Sequence, residues 1–172
     1  MATYPPVYAG TKVTAAFLES MCPVTATKTA NESVTSSTTL QNDDQLFVPV
    51  EANATYEVAL LLLHDSDATV AGDIKVGWTG PAGAAMNWGV HGANTTANSS
   101  TAVTSVNMQT RTIVEAASFG GGDSTGTVAL VFGTLTTAGT AGTLQLQWAQ
   151  DTSNAVATNV RAGSRLTLTR TA

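Results

Sequence analysis

A chain of 172 residues with seven Lys and Arg against twelve Asp and Glu carries a net charge of −5. That balance argues against a sequence-independent nucleic-acid binder, which needs basic residues facing phosphates. A single cysteine rules out an intrachain disulfide or a thiolate metal cage.

Apolar residues make up 43% of the chain, as in ordinary globular proteins, but charged residues only 11%, far below the ~25% of a typical soluble domain. Thr occurs 30 times and is β-branched, which favours strands over helices. A surface of hydroxyls and amides is soluble but weakly self-repelling, which suits a protein held at high local density on an assembly or a secreted protein. The length fits one domain that buries roughly 70% of its unfolded surface without metals or disulfides.

Met1 to Pro23 reads as an arm distinct from the rest. Tyr4-Pro5-Pro6-Val7 is expected to be extended, because proline fixes φ and disfavours helix in the residue before it. Val13, Phe17, Leu18 and Met21 share one side of a short helix with Thr11 as its N-cap and Pro23 beyond its end. Such a helix is too short to be stable alone and must dock on its own domain or on a partner. Cys22, beside Met21, is expected to pack as a small hydrophobe. The first residues have no basic stretch followed by a long apolar one, so no signal peptide is expected. The longest apolar run, Val58 to Leu63, is too short to span a bilayer as a helix, and no membrane partner is expected.

From Val24 to the end the pattern is strands at sandwich-like spacing. The candidates are 24–29, 45–50, 55–64, 73–79, 85–90, 103–116, 127–135, 143–150 and 165–171. Leu46, Val48 and Val50 alternate with Gln45, Phe47 and Pro49, and Tyr56, Val58, Leu60 and Leu62 resume the period after a break at Glu51–Ala54. Alternation with period two buries one face of a sheet and wets the other. Pro49 makes its run an edge strand or a bulge. Leu144, Leu146 and Trp148, then Leu166 and Leu168, repeat the pattern. Loops are expected at Gly92 to Ser100 and Ala117 to Gly126. The fold class is therefore all-β, an antiparallel sandwich of jelly-roll type over residues 24–172, preceded by the arm at 1–23.

No segment reads as catalytic, metal-binding or cofactor-binding. Gly122-Asp-Ser124-Thr-Gly126 has the spacing of a nucleophile elbow, but a strand rather than a helix follows it. The same glycines lack the Lys of a phosphate-binding loop. His64-Asp65-Ser66-Asp67 has too few oxygens at calcium-loop spacing and reads as an Asp-rich turn. His91 has no His or Glu at a metal-binding interval. Trp78, Trp88 and Trp148 lie in strands, so their default place is the core or a subunit interface. The sequons at Asn31, Asn53, Asn94 and Asn98 reflect composition.

Three segments carry a resemblance. Ala9 to Met21, Asp43 to Tyr56 and Gly72 to Gly83 resemble small virion proteins encoded by tailed phages of actinobacteria. The resemblance implies a structural component of the virion, with trimeric β sandwiches a common architecture for such parts; it does not place the protein on the particle, and it supplies no catalytic residues. The expected role is a non-enzymatic decoration protein, made in the host cytoplasm and bound on the capsid surface to the major capsid protein as a homo-trimer. The chain has no long shaft, collagen-like repeat or coiled coil of a tail fibre. Two other readings stay open: a minor tail or receptor-binding protein, and a secreted carbohydrate-binding module presenting Trp to glycans. Capsid or subunit contacts are expected from Tyr4, Pro5, Pro6, Tyr8, Phe17 and Leu18, because Pro-rich chain loses little entropy on ordering and aromatics bring large apolar area.

Overall fold

The two-residue period becomes burial in the computed structural model of the chain, which describes residues 7–66, 73–95, 105–120 and 126–172. One short helix, α1 (Ala15–Ser20), is followed by thirteen strands. These are β1 (Val24–Thr27), β2 (Glu32–Val34), β3 (Gln41–Val50), β4 (Thr55–Ser66), β5 (Ile74–Thr79), β6 (Ala85–Ala93) and β7 (Val106–Asn107), then β8 (Thr110–Thr112), β9 (Ala117–Phe119), β10 (Thr127–Thr136), β11 (Gly142–Gln150), β12 (Thr158–Val160) and β13 (Arg165–Arg170). The protein is all-β, with antiparallel strands in two sheets.

The larger sheet runs β1-β13-β4-β10-β6, with β7 and β8 on β6, and β12 joining β4 to β2. The smaller runs β3-β11-β5-β9. Five of the pairs are nested along the chain: β1 with β13, β2 with β12, β3 with β11, β4 with β10 and β5 with β9. Tyr56, Val58, Leu60 and Leu62 of β4 and Ala129, Val131 and Leu135 of β10 bury one face of the larger sheet. Leu46, Val48 and Val50 of β3 and Leu144, Leu146 and Trp148 of β11 bury the smaller, and all belong to one hydrophobic core. Leu166 and Leu168 enter the same core, as expected. Pro49 lies on β3, the edge strand of its sheet, where a missing N–H costs least. The ladder between β3 and β11 also slips at Gln145/Gln147.

Between β3 and β4 the chain reverses at Glu51–Ala54, with Asn53 in the left-handed region at φ 51°. The Thr137 hydroxyl accepts from Ala54 N at 2.9 Å and donates to Glu51 O at 2.6 Å, so a residue after β10 secures this turn. All three tryptophans are core residues. Trp78 and Trp88 meet edge to face, 6.2 Å apart at 84°. Trp88 donates its indole N–H to Thr112 O at 2.9 Å. Where β10 crosses beside Trp88 it needs Gly133, because a Cβ there would lie 2.8 Å from both Met86 Cε and Trp88 Cβ.

Several expected boundaries shift. Candidate strand 103–116 resolves into the short β7 and β8, separated by a turn where Gln109 N binds Asn107 Oδ1. Ala117–Phe119, expected in a loop, is β9, and Gly92 and Ala93 are buried members of β6. β2, β9 and β12 are three residues each, too short to show a period in sequence. The expected Asp-rich turn is instead the end of β4, with His64 and Ser66 buried. β12 pairs alongside it, and Asn159 donates to Asp65 Oδ1 at 2.5 Å. Asp67 lies outside the described residues, as do residues 122–125 of the elbow-like glycine motif.

His64 is an imidazole inside an apolar core. Its ring meets Phe119 edge-on at 5.3 Å, and neither ring nitrogen has a hydrogen-bond partner among the described residues. Burial disfavours the imidazolium and lowers its pKa from 6.5 to about 4. Below pH 6.5 the unfolded chain therefore takes up a proton that the folded protein refuses. Stability present above pH 6.5 is lost as pH falls toward 4, by about 3 kcal/mol in all. Thermal denaturation from pH 7 to 5, above the range where carboxylates dominate, should show Tm falling with pH, and His64→Leu should flatten that slope. An unchanged slope in the variant would assign it to another group. Gly133→Ala should cost about 1–3 kcal/mol in urea denaturation through overpacking against Trp88.

Candidate interaction surfaces

The arm is built from local interactions. Tyr8 and Thr11 close a turn: Tyr8 N donates to Thr11 Oγ1 at 2.9 Å, and that hydroxyl donates to Tyr8 O at 2.7 Å. Gly10 makes the turn with φ +86°, a conformation that costs a side chain strain. The helix then starts one turn later than the sequence suggests. Thr14, not Thr11, is the N-cap, accepting from Phe17 N at 3.2 Å, because Thr11 is already used in the turn. At the other end Cys22 N returns to Glu19 O at 3.0 Å.

This helix buries none of its residues. Tyr8 is 73% exposed, Leu18 53% and Met21 55%, with Val7 and Val13 similarly open. Phe17 is half-buried, and Cys22 is exposed rather than packed as expected. The last turn of α1 lies beside the sandwich across a cavity of about 310 Å³, lined by Ser20 and Cys22 on one side and Val50, Tyr56 and Leu168 on the other. Of the six expected contact residues, Tyr8 and Leu18 are open to solvent, Phe17 partly so, and Tyr4, Pro5 and Pro6 lie outside the described residues.

A second apolar surface lies on the outward face of the larger sheet. Over part of β4 and β10 the residues alternating with the core set are also apolar. Val128 pairs with Leu63, Leu130 with Leu61, and Phe132 with Ala59. Val128 and Phe132 are about half exposed, and Leu61, Leu63 and Leu130 are partly so. Next to them, His91 of β6 pairs with Leu130 and is exposed, and Met108 shares a shallow depression with His91 and Phe132. Sequence reasoning missed this face, although its signal is visible in Leu60-Leu-Leu-Leu63 and Val128-Ala-Leu-Val-Phe132. Unbroken apolar runs mean a strand whose two faces are both apolar, and the described residues leave one of those faces uncovered here.

Among the described residues no group of three or more His, Cys, Asp or Glu is placed to hold a metal ion, and no helix is long and apolar enough to cross a membrane. The most closely knit charged group is Lys28 with Glu32 and Asp43, in contact at 2.6 and 2.8 Å. Sequence analysis did not single it out, since its members come from three separate segments.

No protein-family model and no curated protein matches the chain. Among solved structures, the chain aligns with the VP2 subviral particle of infectious bursal disease virus at 9% identity and a TM-score of 0.23, over 87% of this chain and 40% of that one. It aligns with the structure of the Gt strain of the same virus at 10% identity and a TM-score of 0.20, over 98% and 45%. The chain thus spans less than half the length of these proteins, and likeness at this level carries no argument about fold or function.

Residues 7–13 are all exposed, so this outer part of the arm should be dispensable for the sandwich. Deleting Met1 to Val13 is expected to leave Tm within about 2 °C of the full chain, consistent with the small effect of surface changes. A large fall in Tm would mean that the arm covers its own domain.

Proposed function

We propose that this protein is a non-enzymatic structural component of a tailed-phage particle, a decoration protein that sits on the capsid surface and ties neighbouring capsomers together. The observation that carries this reading is the arm: an ordered turn and helix whose apolar side chains stay exposed beside a rigid, weakly charged sandwich. Exposed apolar area of this kind is retained where a partner covers it. The resemblance of Ala9 to Met21 and of the two later segments to phage virion proteins points the same way.

We further propose that the sandwich is a jelly roll. The nested pairs β1·β13, β2·β12, β3·β11, β4·β10 and β5·β9 are those of one long antiparallel ribbon folded over into two sheets, and β6 to β8 form an insertion before β9. Jelly rolls serve viral capsids and lectins alike, so the fold supports a virion role without selecting it. The glycan-binding alternative needs exposed tryptophans, and Trp78, Trp88 and Trp148 are all buried. Trimerisation belongs to the same proposal. Linking three arms turns weak individual contacts with the major capsid protein into strong attachment.

Quantitative mass spectrometry of purified particles tests the reading. A copy number comparable to that of the major capsid protein is expected. A handful of copies would move the protein to the tail, and its absence would overturn the virion assignment. The arm-deleted protein is expected to lose binding to undecorated capsids while remaining folded, and sedimentation of the full chain at micromolar concentration should show a trimer.

A further inference from the structure

Lys28 follows β1 and is 2% exposed, although lysine is among the residues least often fully buried. Its Nζ lies 2.6 Å from Glu32 Oε2 and 2.8 Å from Asp43 Oδ2. The Asp43 side chain is wholly buried, and that of Glu32 is partly buried at 14% exposure. Two carboxylates against one ammonium are one acid more than an ion pair requires. Burying them costs more than apolar side chains of the same size would, so stability alone is a poor account of the cluster.

The surrounding hydrogen bonds hold both carboxylates in place. Asp43 Oδ1 accepts from two backbone N–H groups, Gln45 N at 2.9 Å and Leu46 N at 2.8 Å. Two donors converging on one carboxyl oxygen, with an amine on the other, form a ready oxyanion hole. Glu32 is itself held, its Oε2 by Asp44 N and its Oε1 by Gln41 Nε2, both at 3.2 Å.

We propose that Lys28 and Asp43 become joined by an intramolecular amide bond, formed once by the folded protein itself, with Glu32 carrying the proton. One proton passes from the Lys28 ammonium to Asp43 Oδ2, leaving a neutral amine facing a carboxylic acid. The amine lone pair attacks Asp43 Cγ, and the C=O pair moves onto Oδ1 between the Gln45 and Leu46 N–H groups. Glu32 takes a second proton from the nitrogen and delivers it to Oδ2. The Cγ–Oδ2 bond breaks, the C=O re-forms, and one water leaves. The ammonium and carboxylate become an amide plus water, Glu32 ends as it began, and no oxidant or cofactor is consumed. Fixed proximity supplies what free amines and carboxylates lack in water.

The bond would link the end of β1, in the larger sheet, to edge strand β3 of the smaller one. A pull on the arm reaches β1 first, and the amide would stop the unravelling at the end of β1 and pass the load to β3. The chemistry stands whether or not the protein decorates a capsid.

The test is the intact mass of the purified full chain in denaturant. The expected mass is one water below that of the sequence, with Lys28→Arg as the unlinked reference for Met1 processing. Trypsin should leave the peptide from Val13 to Lys75 uncut or internally looped at Lys28, and fragmentation should place the link at Lys28 and Asp43. Glu32→Gln should form the bond about a hundredfold more slowly or not at all, with near-ultraviolet circular dichroism reporting whether it has folded. Full sequence mass in the wild-type protein after prolonged incubation at neutral pH would overturn the proposal without touching the capsid reading. Bond formation at the wild-type rate in folded Glu32→Gln would remove Glu32 from the mechanism.

Discussion

The structure depends on β4 being apolar and long enough to serve as the spine of the larger sheet. Its inward residues Tyr56, Val58, Leu60 and Leu62 fill the core, while its backbone carries β10 along one edge and β13, then β12, along the other. Each such side chain contributes about 1.5–3 kcal/mol when fully buried, so this strand alone outweighs the contribution of any ion pair on the surface. Strands too short to persist alone, such as β2 and β12, exist because this frame presents them with a partner edge.

Polar groups inside that frame divide into satisfied and unsatisfied ones. Gln150, fully buried at the end of β11, accepts from Ser37 N and Asn154 N and donates to Val156 O, and so organises the loop after its strand. Asp43 likewise uses Oδ1 to hold the backbone at Gln45 and Leu46. His64 does neither and stays neutral at the cost of acid sensitivity. The contrast places Lys28, Glu32 and Asp43 among the deliberately wired groups, since every heteroatom of both carboxylates has a donor.

Two apolar surfaces are left over after the core is complete, and they have different origins. The apolar side chains of the arm stay exposed because its six-residue helix buries none of its residues. The outward face of β4 and β10 is apolar because Leu61, Leu63, Leu130 and Phe132 break the polar half of the alternation. A weakly charged chain does little to repel copies of itself from such surfaces, which fits a protein that works in an assembly.

By itself the sequence determined the class and much of the core. Period-two runs in β3, β4, β11 and β13 identify strands and their inward residues, because a pleat can place side chains in only two directions. Pro49 marked an edge strand for an equally local reason, the missing N–H. Tertiary structure alone decided which strands pair, since the nested order β1·β13 to β5·β9 joins segments far apart in sequence. It alone decided that β9 exists at all, through the open edge of β5. It also brought Lys28, Glu32 and Asp43 together. Charge spacing along a chain does not show which carboxylates a folded sheet will turn inward, and only burial makes that lysine more than a surface cation.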